Sequence, residues 1–242
     1  MIRLRAYKTE LEPNNEQRSM FERCAGAARF CYNWGLASMK EAYDQGRKTS
    51  VLTEKKRLNA IKDQQFPWLR MVPGRVTEAA FDNLRNAYNN FFRGAKNVRG
   101  AGFPKFKTKG KCIPSFTLRD INLYHIEKER IKLPRIGWVR LAEKDYLPTS
   151  NARILSATIS ERAGRWFISL QVEQDVPEPE PATGAPIGVD AGIKSLAVCS
   201  DGTVFENPQS LRKYERKLGT LQRELSRRQK GGKNRDKTRR KI

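Results

Sequence analysis

An acidic residue, Asp190, ends the first predicted strand of the stretch 188–202, GVDAGIKSLAVCSDG. A tight turn and a second strand follow it. A carboxylate in this setting is typical of three roles: a ligand of a catalytic metal ion, a residue of a phosphate-binding loop, or a polar group that finishes a strand. The local pattern leaves all three open, so the rest of the chain has to discriminate between them.

The other residues able to do chemistry are few. The cysteines form no C-x-x-C pair, which favours reduced thiols over a zinc site; they are Cys24, Cys31, Cys112 and Cys199. Cys24 and Cys31 are seven residues apart on a predicted helix, where we expect them to pack as small apolar side chains. Because His125 is the single histidine of the sequence, we do not expect histidine-based catalysis.

The strongest compositional signal is the net charge of +22, from 48 Lys and Arg against 26 Asp and Glu in 242 residues. A chain this basic is attracted to polyanions, of which nucleic acid is the commonest. Residues 93–111 hold seven basic residues and no acidic one, and residues 212–242 hold fourteen basic and three acidic ones. Charge runs are usually solvated faces or disordered tails, but two runs joined to aromatic or apolar structure favour nucleic-acid contact.

A membrane surface is the rival partner for a basic chain. The sequence has no run of about 18 apolar residues that could span a bilayer, and its first residues, MIRLRAYKTELEP, lack the apolar core of a signal peptide. We therefore expect a soluble, intracellular protein with no membrane partner.

The first part of the chain predicts one strand and then a helical bundle. Residues 1–11 alternate as a short strand, and Asn14 with Gln17 forms an N-cap signal for the first helix. The apolar positions of that helix are Phe21, Cys24, Ala28, Cys31, Gly35, Leu36, Met39 and Tyr43. A second helix is predicted over 53–62. A third follows VPG, and its apolar face is Val76, Ala80, Leu84, Ala87, Tyr88 and Phe91.

After Phe103 the hydrophobic period changes to that of strands. RIKLPRIGWVRLA, ARILSATISER and RWFISLQVE predict a small barrel-like sheet, with a hairpin through Ala163 and Gly164 between the last two. The Pro-rich stretch 176–186 predicts a linker, and three short strands follow it at 187–191, 195–200 and 203–206.

The end of the chain predicts one amphipathic helix and a basic tail. The helix is expected to cover the three short strands with an apolar stripe made of Leu211, Tyr214, Leu218, Leu221 and Leu225. The tail, 226–242, is expected to be disordered or poorly packed when no polyanion is bound, because its like charges repel one another.

Two large groups of proteins begin with a strand, an Asp-x-Gly turn and a second strand, and both are built on the ribonuclease-H-like sheet. In the sugar kinases and actin this loop cradles ATP phosphates, whereas in the nucleases the Asp holds two Mg²⁺ ions together with other carboxylates. Here Ile193 and Lys194 follow the turn. A bulky apolar residue and a cation suit a nucleic-acid backbone better than a nucleotide cradle.

The chain as a whole resembles the TnpB family, the RNA-guided DNA endonucleases that insertion-sequence transposons encode and that are often labelled transposases. GVDAGIKSLAVCSDG looks like the first RuvC motif of that family. RLRAYKTELEPNNEQ and CAGAARFCYNWGL are similar to its N-terminal helix-turn-helix segment, and NLRNAYNNFFRGAK, GFPKFKTKG and IKLPRIGWVRL to its middle region. ELSRRQKGGKNRDKTRRK is similar to the basic helices after the first catalytic strand.

The resemblance implies an α+β multidomain fold. Residues 12–102 would form a helical recognition domain. This domain would be inserted in a small wedge β-barrel made of the first strand, 1–11, and residues 103–175. Residues 176–186 would be the linker, and 187–242 the N-terminal part of a ribonuclease-H-like (RuvC) nuclease domain.

The resemblance also implies the partners and the chemistry. The partners would be a guide RNA from the transposon end and double-stranded target DNA, in the cytoplasm and nucleoid of a prokaryote, with self-association left open. The cofactor would be Mg²⁺ in a two-metal site to which Asp190 contributes as the catalytic carboxylate. Family members continue past residue 242 with a catalytic Glu, a second catalytic Asp and a four-Cys zinc ribbon, so no zinc is expected here.

Because one carboxylate cannot organise two metal ions, we expect this chain alone to bind nucleic acid without cutting it. Two interpretations agree with this. The chain is an endonuclease of the TnpB type without its catalytic completion, or it is a nuclease-dead RNA-guided DNA-binding protein. A sugar-kinase-like or actin-like ATPase is a third interpretation, and the net charge of +22 has no purpose in it.

The charge pattern and the resemblance name the remaining site residues. The cations expected to contact a nucleic-acid backbone are Lys105, Lys107, Lys109, Lys111, Lys194, Arg227, Arg228 and Lys230. In an extended segment the four lysines of 105–111 would lie on one side. By resemblance, the recognition helices and the neighbouring wedge segment read a short DNA motif, and the candidates are Arg75, Thr77, Glu78, Asn83 and Thr117. An ordinary solvated helix face is the alternative role for each of them.

Overall fold

The structure, a computed structural model, describes residues 1–94, 102–119, 125–178 and 184–242. It falls into two compact units, Met1–Val176 and Pro177–Ile242. The linker predicted at 176–186 begins at this division, and its residues 179–183 lie outside the described part of the chain. Of the helices described below, none combines the length and the apolar character needed to cross a membrane.

In the described residues, the first unit combines three α-helices with a β-sheet. Its helices are α1 (Asn15–Asp44), α2 (Val51–Gln65) and α3 (Gly74–Gly94), with a short 3-10 helix at Pro67–Met71 between α2 and α3. Its strands are β1 (Ile2–Glu12), β2 (Ser115–Leu118), β3 (His125–Ile126), β4 (Arg130–Leu133), β5 (Gly137–Leu141), β6 (Ala152–Arg162) and β7 (Arg165–Asp175). The sequence did not predict the 3-10 helix, which begins at a proline, the residue that favours a first helical turn.

Helix α1 begins where the sequence predicts. The Asn14 side chain accepts a hydrogen bond from the Gln17 backbone N–H at 2.8 Å, and the Gln17 side chain accepts one from the Asn14 N–H at 3.1 Å. Both halves of a capping box are therefore present. Tyr43, predicted on the apolar face of α1, is instead 84% exposed, because the buried position of the last turn is Ala42.

Helices α1 and α3 pack closely at Gly35. A β-carbon added there would lie 2.8 Å from Phe81 Cε1 and 2.9 Å from Leu84 Cδ2 on α3. Nonbonded carbon atoms attract one another at about 3.5–4.0 Å, so no side chain fits at this position without a shift. The glycine therefore sets the distance between the two helices, which belong to one hydrophobic core with the sheet.

The strands of the first unit form a seven-stranded antiparallel sheet in the order β2-β6-β7-β1-β5-β4-β3. Strand β1 pairs with β7 along its length and with β5 at its end, so the first strand joins the sheet as predicted. The β6–β7 hairpin turns at Ala163 and Gly164 with φ values of 52° and 77°, as two-residue hairpin turns require. Among the described residues no hydrogen-bonded ladder joins β2 to β3, and a closed barrel stays a prediction.

The second unit contains a small sheet of three strands that the sequence predicts. They are β8 (Val189–Ala191), β9 (Ser195–Cys199) and β10 (Val204–Glu206), in the order β10-β9-β8. The predicted turn at Asp201 and Gly202 is present between β9 and β10. Gly202 has a φ of 86°, and the Thr203 N–H donates a hydrogen bond to Asp201 Oδ1 at 2.9 Å.

The end of the chain differs from the predictions in two respects. Helix α4 (Ser210–Arg227) forms, but none of its residues is buried and Leu211 is 82% exposed, so its apolar stripe does not become a covered face. The tail 226–242, expected to be disordered or poorly packed, instead turns at Gly231 and forms a further helix, α5 (Lys233–Lys241), in which Thr238 is the buried residue. Arg228 and Arg235 donate to backbone carbonyl oxygens across this turn, and these bonds offset the repulsion between like charges.

Candidate nucleic-acid interface

The basic segment, residues 102–112, is held against helix α1 by one side chain. Asn33 of α1 donates a hydrogen bond to the Lys107 carbonyl oxygen and accepts one from the Lys107 backbone N–H, both at 2.8 Å. A single amide thus pairs both backbone groups of Lys107, as a neighbouring β-strand would. The position of the segment relative to α1 is therefore fixed at Lys107.

Lys107 is directed toward the protein. Its Nζ lies 4.3 Å from the centre of the Tyr32 ring on α1, within the range of a cation–π contact. Burial lowers the pKa of the Lys107 ammonium from its usual value, since burial disfavours the charged form. The prediction that four lysines share one side is therefore wrong: Lys105, Lys109 and Lys111 are exposed, whereas Lys107 is half-buried.

A tight turn ends the basic segment. The backbone N–H groups of Lys111 and Cys112 both donate to the Thr108 carbonyl oxygen at 3.1 Å. Gly110 has a φ of 88°, in the left-handed region that favours glycine. Because the backbone reverses here, alternation no longer decides where the side chains point. We call the exposed side chains of Lys105, Lys109 and Lys111 the lysine edge.

An aromatic ring accompanies the lysine edge. Phe106 is 50% exposed, and the Nζ of Lys40 on α1 lies 5.9 Å from the centre of its ring. Exposed rings beside cations are typical of surfaces that contact nucleic acid, since bases stack on rings and phosphates pair with cations. The segment therefore keeps the chemistry predicted from its composition, with three outward lysines instead of four.

The candidate motif-reading residues on α3 lie in its first turns and on its exposed side. Arg75 Nη1 is 2.8 Å from Glu78 Oε2, and the Thr77 hydroxyl donates to the Gly74 carbonyl oxygen at 2.7 Å. Asn83 is exposed farther along the helix. An ion pair this accessible to solvent contributes little stability.

The fifth candidate, Thr117, lies on strand β2, between the buried residues Phe116 and Leu118. The Thr117 hydroxyl is 3.0 Å from the Thr158 hydroxyl on β6. Arg119 Nη1 lies 2.9 Å from Asp82 Oδ2, which joins the end of β2 to α3. The sequence did not single out Arg119, and no local pattern marks it, because its partner lies on another element.

Asp190 is the middle residue of β8, and its Cα is paired with that of Val198 on β9. Its side chain is exposed. In the described residues, no group of three or more His, Cys, Asp and Glu side chains could hold a metal ion. These residues therefore do not form a magnesium site around Asp190, and its catalytic role stays a prediction.

The turn after Asp190 is built tightly. The Gly192 N–H donates to the Leu196 carbonyl oxygen at 3.3 Å, and the Asn207 side chain donates to the Ile193 carbonyl oxygen at 2.7 Å. A β-carbon on Gly192 would lie 3.1 Å from a carbonyl oxygen of the turn, so glycine is favoured there. Lys194, predicted to contact nucleic acid, is exposed in this turn.

Of the cations predicted in the α4–α5 hairpin, one bonds within the hairpin and two face solvent. The Arg228 guanidinium pairs with Glu224 and donates to a carbonyl oxygen of α5 at 2.5 Å. Arg235, which the sequence did not single out, donates to two backbone carbonyl oxygens at the end of α4. Arg227 and Lys230 are exposed. Arg228 therefore fastens the hairpin, and the other two predicted cations face solvent.

Comparison with known proteins shows the family. Two family models match, one described as a helix-turn-helix domain on residues 1–48 and one as a "Probable transposase" on residues 169–242. Over 249 residues the chain is 36% identical to "Putative RNA-guided DNA endonuclease InsQ" of Escherichia coli (strain K12), a match covering 100% of this chain. The chain belongs to the TnpB family. The resemblance predicted from the sequence is thereby confirmed.

A second relative of this TnpB-family chain is the "Putative RNA-guided DNA endonuclease" of Streptomyces pristinaespiralis. The two are 34% identical over 248 residues, and the match covers 98% of this chain. The chain spans 58% of the length of each of these relatives. Among solved structures, it is similar to the protein in the cryo-EM structure of the Cas12f1-sgRNA-target DNA complex. That match has 16% identity and a TM-score of 0.39, and it covers 93% of this chain and 62% of the other. A TM-score this low adds nothing to the family assignment.

Proposed function

We propose that this chain is the nucleic-acid-binding portion of an RNA-guided DNA endonuclease of the TnpB family. It would bind a guide RNA that derives from the transposon end and, with it, double-stranded target DNA. The observation that carries the proposal is the 36% identity, over the whole chain, to a relative named as an RNA-guided DNA endonuclease.

The distribution of cations supports nucleic acid as the partner. A net charge of +22 attracts a polyanion, and each phosphate that is neutralised releases a counterion. The first unit presents the lysine edge, and the second presents Lys194, Arg227 and Lys230. Each unit therefore offers its own cations to a phosphate backbone.

The proposed division of labour follows the domains predicted from the sequence. Residues 12–102 would recognise the target, residues 1–11 and 103–175 would form the wedge barrel, and residues 187–242 would begin the nuclease domain. The match of residues 1–48 to a helix-turn-helix domain and of residues 169–242 to a transposase supports this order.

We assign to Asp190 the role of one metal-binding carboxylate in the complete nuclease. In two-metal hydrolysis, several carboxylates hold the ions that stabilise the attacking and leaving oxygens. The described residues bring no such group together, so a Mg²⁺ site would need further ligands and no catalytic step is assigned to this chain. By itself the chain would bind nucleic acid without cutting it. The alternative is a nuclease-dead RNA-guided DNA-binding protein.

The proposal is tested by purifying the full chain from cells that also carry the transposon end, and by sequencing the RNA that it retains. We expect a discrete RNA species that is strongly enriched over bulk cellular RNA. A variant with Lys105→Glu, Lys109→Glu and Lys111→Glu should retain much less of it. Recovery of bulk RNA only, or of none, would contradict a guide-dependent function.

A second step separates binding from cleavage. The purified complex is incubated with Mg²⁺ and a DNA duplex that matches the recovered RNA. We expect the duplex to be bound and left intact by the 242-residue chain. Cutting by this chain alone would show that its own residues complete the catalytic site.

A further inference from the structure

We propose that Asn33 and Lys107 are positioning residues that hold the lysine edge in its binding geometry, and that Lys107 itself does not contact phosphate. This inference rests on the proposed nucleic-acid-binding function and deepens it. Of the four lysines that alternate along residues 105–111, the three of the lysine edge would bind phosphate, and Lys107 would hold the segment on α1.

The first support is the pairing between Asn33 and the backbone of Lys107. Asn33 stands in the apolar run FCYNWGL of α1, between buried Tyr32 and half-buried Trp34. A partly buried amide needs partners for its donor and its acceptor, and the two 2.8 Å bonds to Lys107 supply both. If Asn33 were replaced by an apolar side chain, both backbone groups of Lys107 would lose their partner. The basic segment would then be free to leave α1.

The second support is the direction of the Lys107 side chain. The Lys107 Nζ lies 4.3 Å from the centre of the Tyr32 ring on α1, and the Lys107 side chain is half-buried. Reaching a phosphate would require giving up this contact and exposing the stem. Lys105 and Lys109, two residues away on either side, are instead exposed. In a regular strand the three would share one face, so the fixed backbone at Lys107 and the turn at Gly110 decide which lysines point outward.

The alternative is that Asn33 and Lys107 only stabilise the fold and have no influence on binding. A purely structural role leaves the affinity itself unchanged, whereas a phosphate contact and an anchor differ in how affinity depends on salt. Removing a cation that contacts phosphate reduces the slope of log K against log salt concentration by about 0.9 on duplex DNA. Removing an anchor weakens binding at every salt concentration and leaves the slope unchanged.

The first test compares Lys107→Met with Lys109→Met in the full chain, with binding to a short fluorescein-labelled DNA duplex measured over a series of salt concentrations. Methionine keeps most of the lysine stem and removes the charge, so the two variants are matched. We expect Lys109→Met to lower the slope by about 0.9 and Lys107→Met to leave it unchanged. An equal fall in slope for both variants would overturn the inference, since Lys107 would then be a phosphate contact.

The second test replaces Asn33 by leucine, which has a similar size and no hydrogen-bonding group. Its control is Asn90→Leu, on the exposed side of α3. Neither change alters charge. We expect Asn33→Leu to bind the duplex up to about thirtyfold more weakly, the equivalent of two ordinary hydrogen bonds, with an unchanged slope. Hydrogen exchange should become faster in residues 105–111, and Asn90→Leu should show neither effect.

The outcomes separate the two proposals. A parent chain that does not bind the duplex or RNA would overturn the proposed function and this inference with it. A parent that binds, with an Asn33→Leu variant that is folded and binds equally well, would overturn the inference alone. If Asn33→Leu does not fold, the comparison of Lys107→Met with Lys109→Met still decides whether Lys107 is an anchor or a contact.

Discussion

Replacing Gly35 by alanine tests how closely α1 and α3 pack. At an open helix position this change stabilises a protein by about 1 kcal/mol, because alanine has less backbone freedom to lose on folding. At Gly35 the new β-carbon would lie 2.8 Å from Phe81 Cε1 and 2.9 Å from Leu84 Cδ2, well inside carbon–carbon contact. Overpacking of this kind costs about 1–3 kcal/mol. We therefore expect Gly35→Ala to lower the free energy of unfolding by up to about 2 kcal/mol.

Gly26 provides a matched control in the same helix. No atom lies within 4 Å of a β-carbon added there, so Gly26→Ala should raise the free energy of unfolding by about 0.5–1 kcal/mol. The assay is urea unfolding followed by tryptophan fluorescence. It reports on the first unit alone, because all four tryptophans lie in it: Trp34, Trp68, Trp138 and Trp166. If both alanine variants are stabilised equally, the contact between α1 and α3 is looser than the structure shows.

Three further predictions concern single side chains. Burial raises the pKa of the Cys24 and Cys31 thiols to about 12. Iodoacetamide, which reacts with the thiolate, should therefore modify them at neutral pH only after unfolding. Mass spectrometry measures this, and rapid modification of the folded protein would contradict their burial. In a complete TnpB-family protein, Asp190→Ala should abolish DNA cutting and leave guide-RNA binding intact, and normal cutting would refute the catalytic assignment. Asn83→Ala should change the preference among short DNA motifs by about 1–3 kcal/mol in competition binding, whereas an equal loss for all sequences would make Asn83 a phosphate contact.

Elements whose signals are local could be predicted from the sequence. The β6–β7 hairpin follows from the alternation of large apolar residues in 166–172 and from Ala163 and Gly164 at its turn. The start of α1 follows from its capping box. The order of the strands in the large sheet could not be predicted, since Leu11 pairs with both Leu141 and Trp166, far away in the chain. No local pattern encodes such pairings.

The end of the chain shows the limit of counting charges. A dense run of cations predicts self-repulsion and disorder, yet residues 233–241 form α5. Arginine differs from a point charge because its guanidinium presents several donors in a fixed plane. Arg235 uses those donors on two carbonyl oxygens at the end of α4, where a helix leaves such groups without a partner, and Arg228 donates to the Asn234 carbonyl oxygen in the first turn of α5. The same residues that repel at a distance thus stabilise the turn at close range.

The lysine edge likewise depends on where charged side chains point and not only on how many there are. Four lysines at alternate positions predict one basic face, but only while the backbone stays regular. Asn33 lies 74 residues before Lys107 and fixes its backbone. In the sequence, Asn33 is a polar residue inside an apolar helical run. Such a residue needs a hydrogen-bond partner, but the sequence does not indicate which residue that partner is. If the positioning role holds, the affinity of this surface depends on an uncharged contact that salt does not screen, together with three cations that salt does screen. High salt should then weaken binding by the lysines while leaving the basic segment in place on α1.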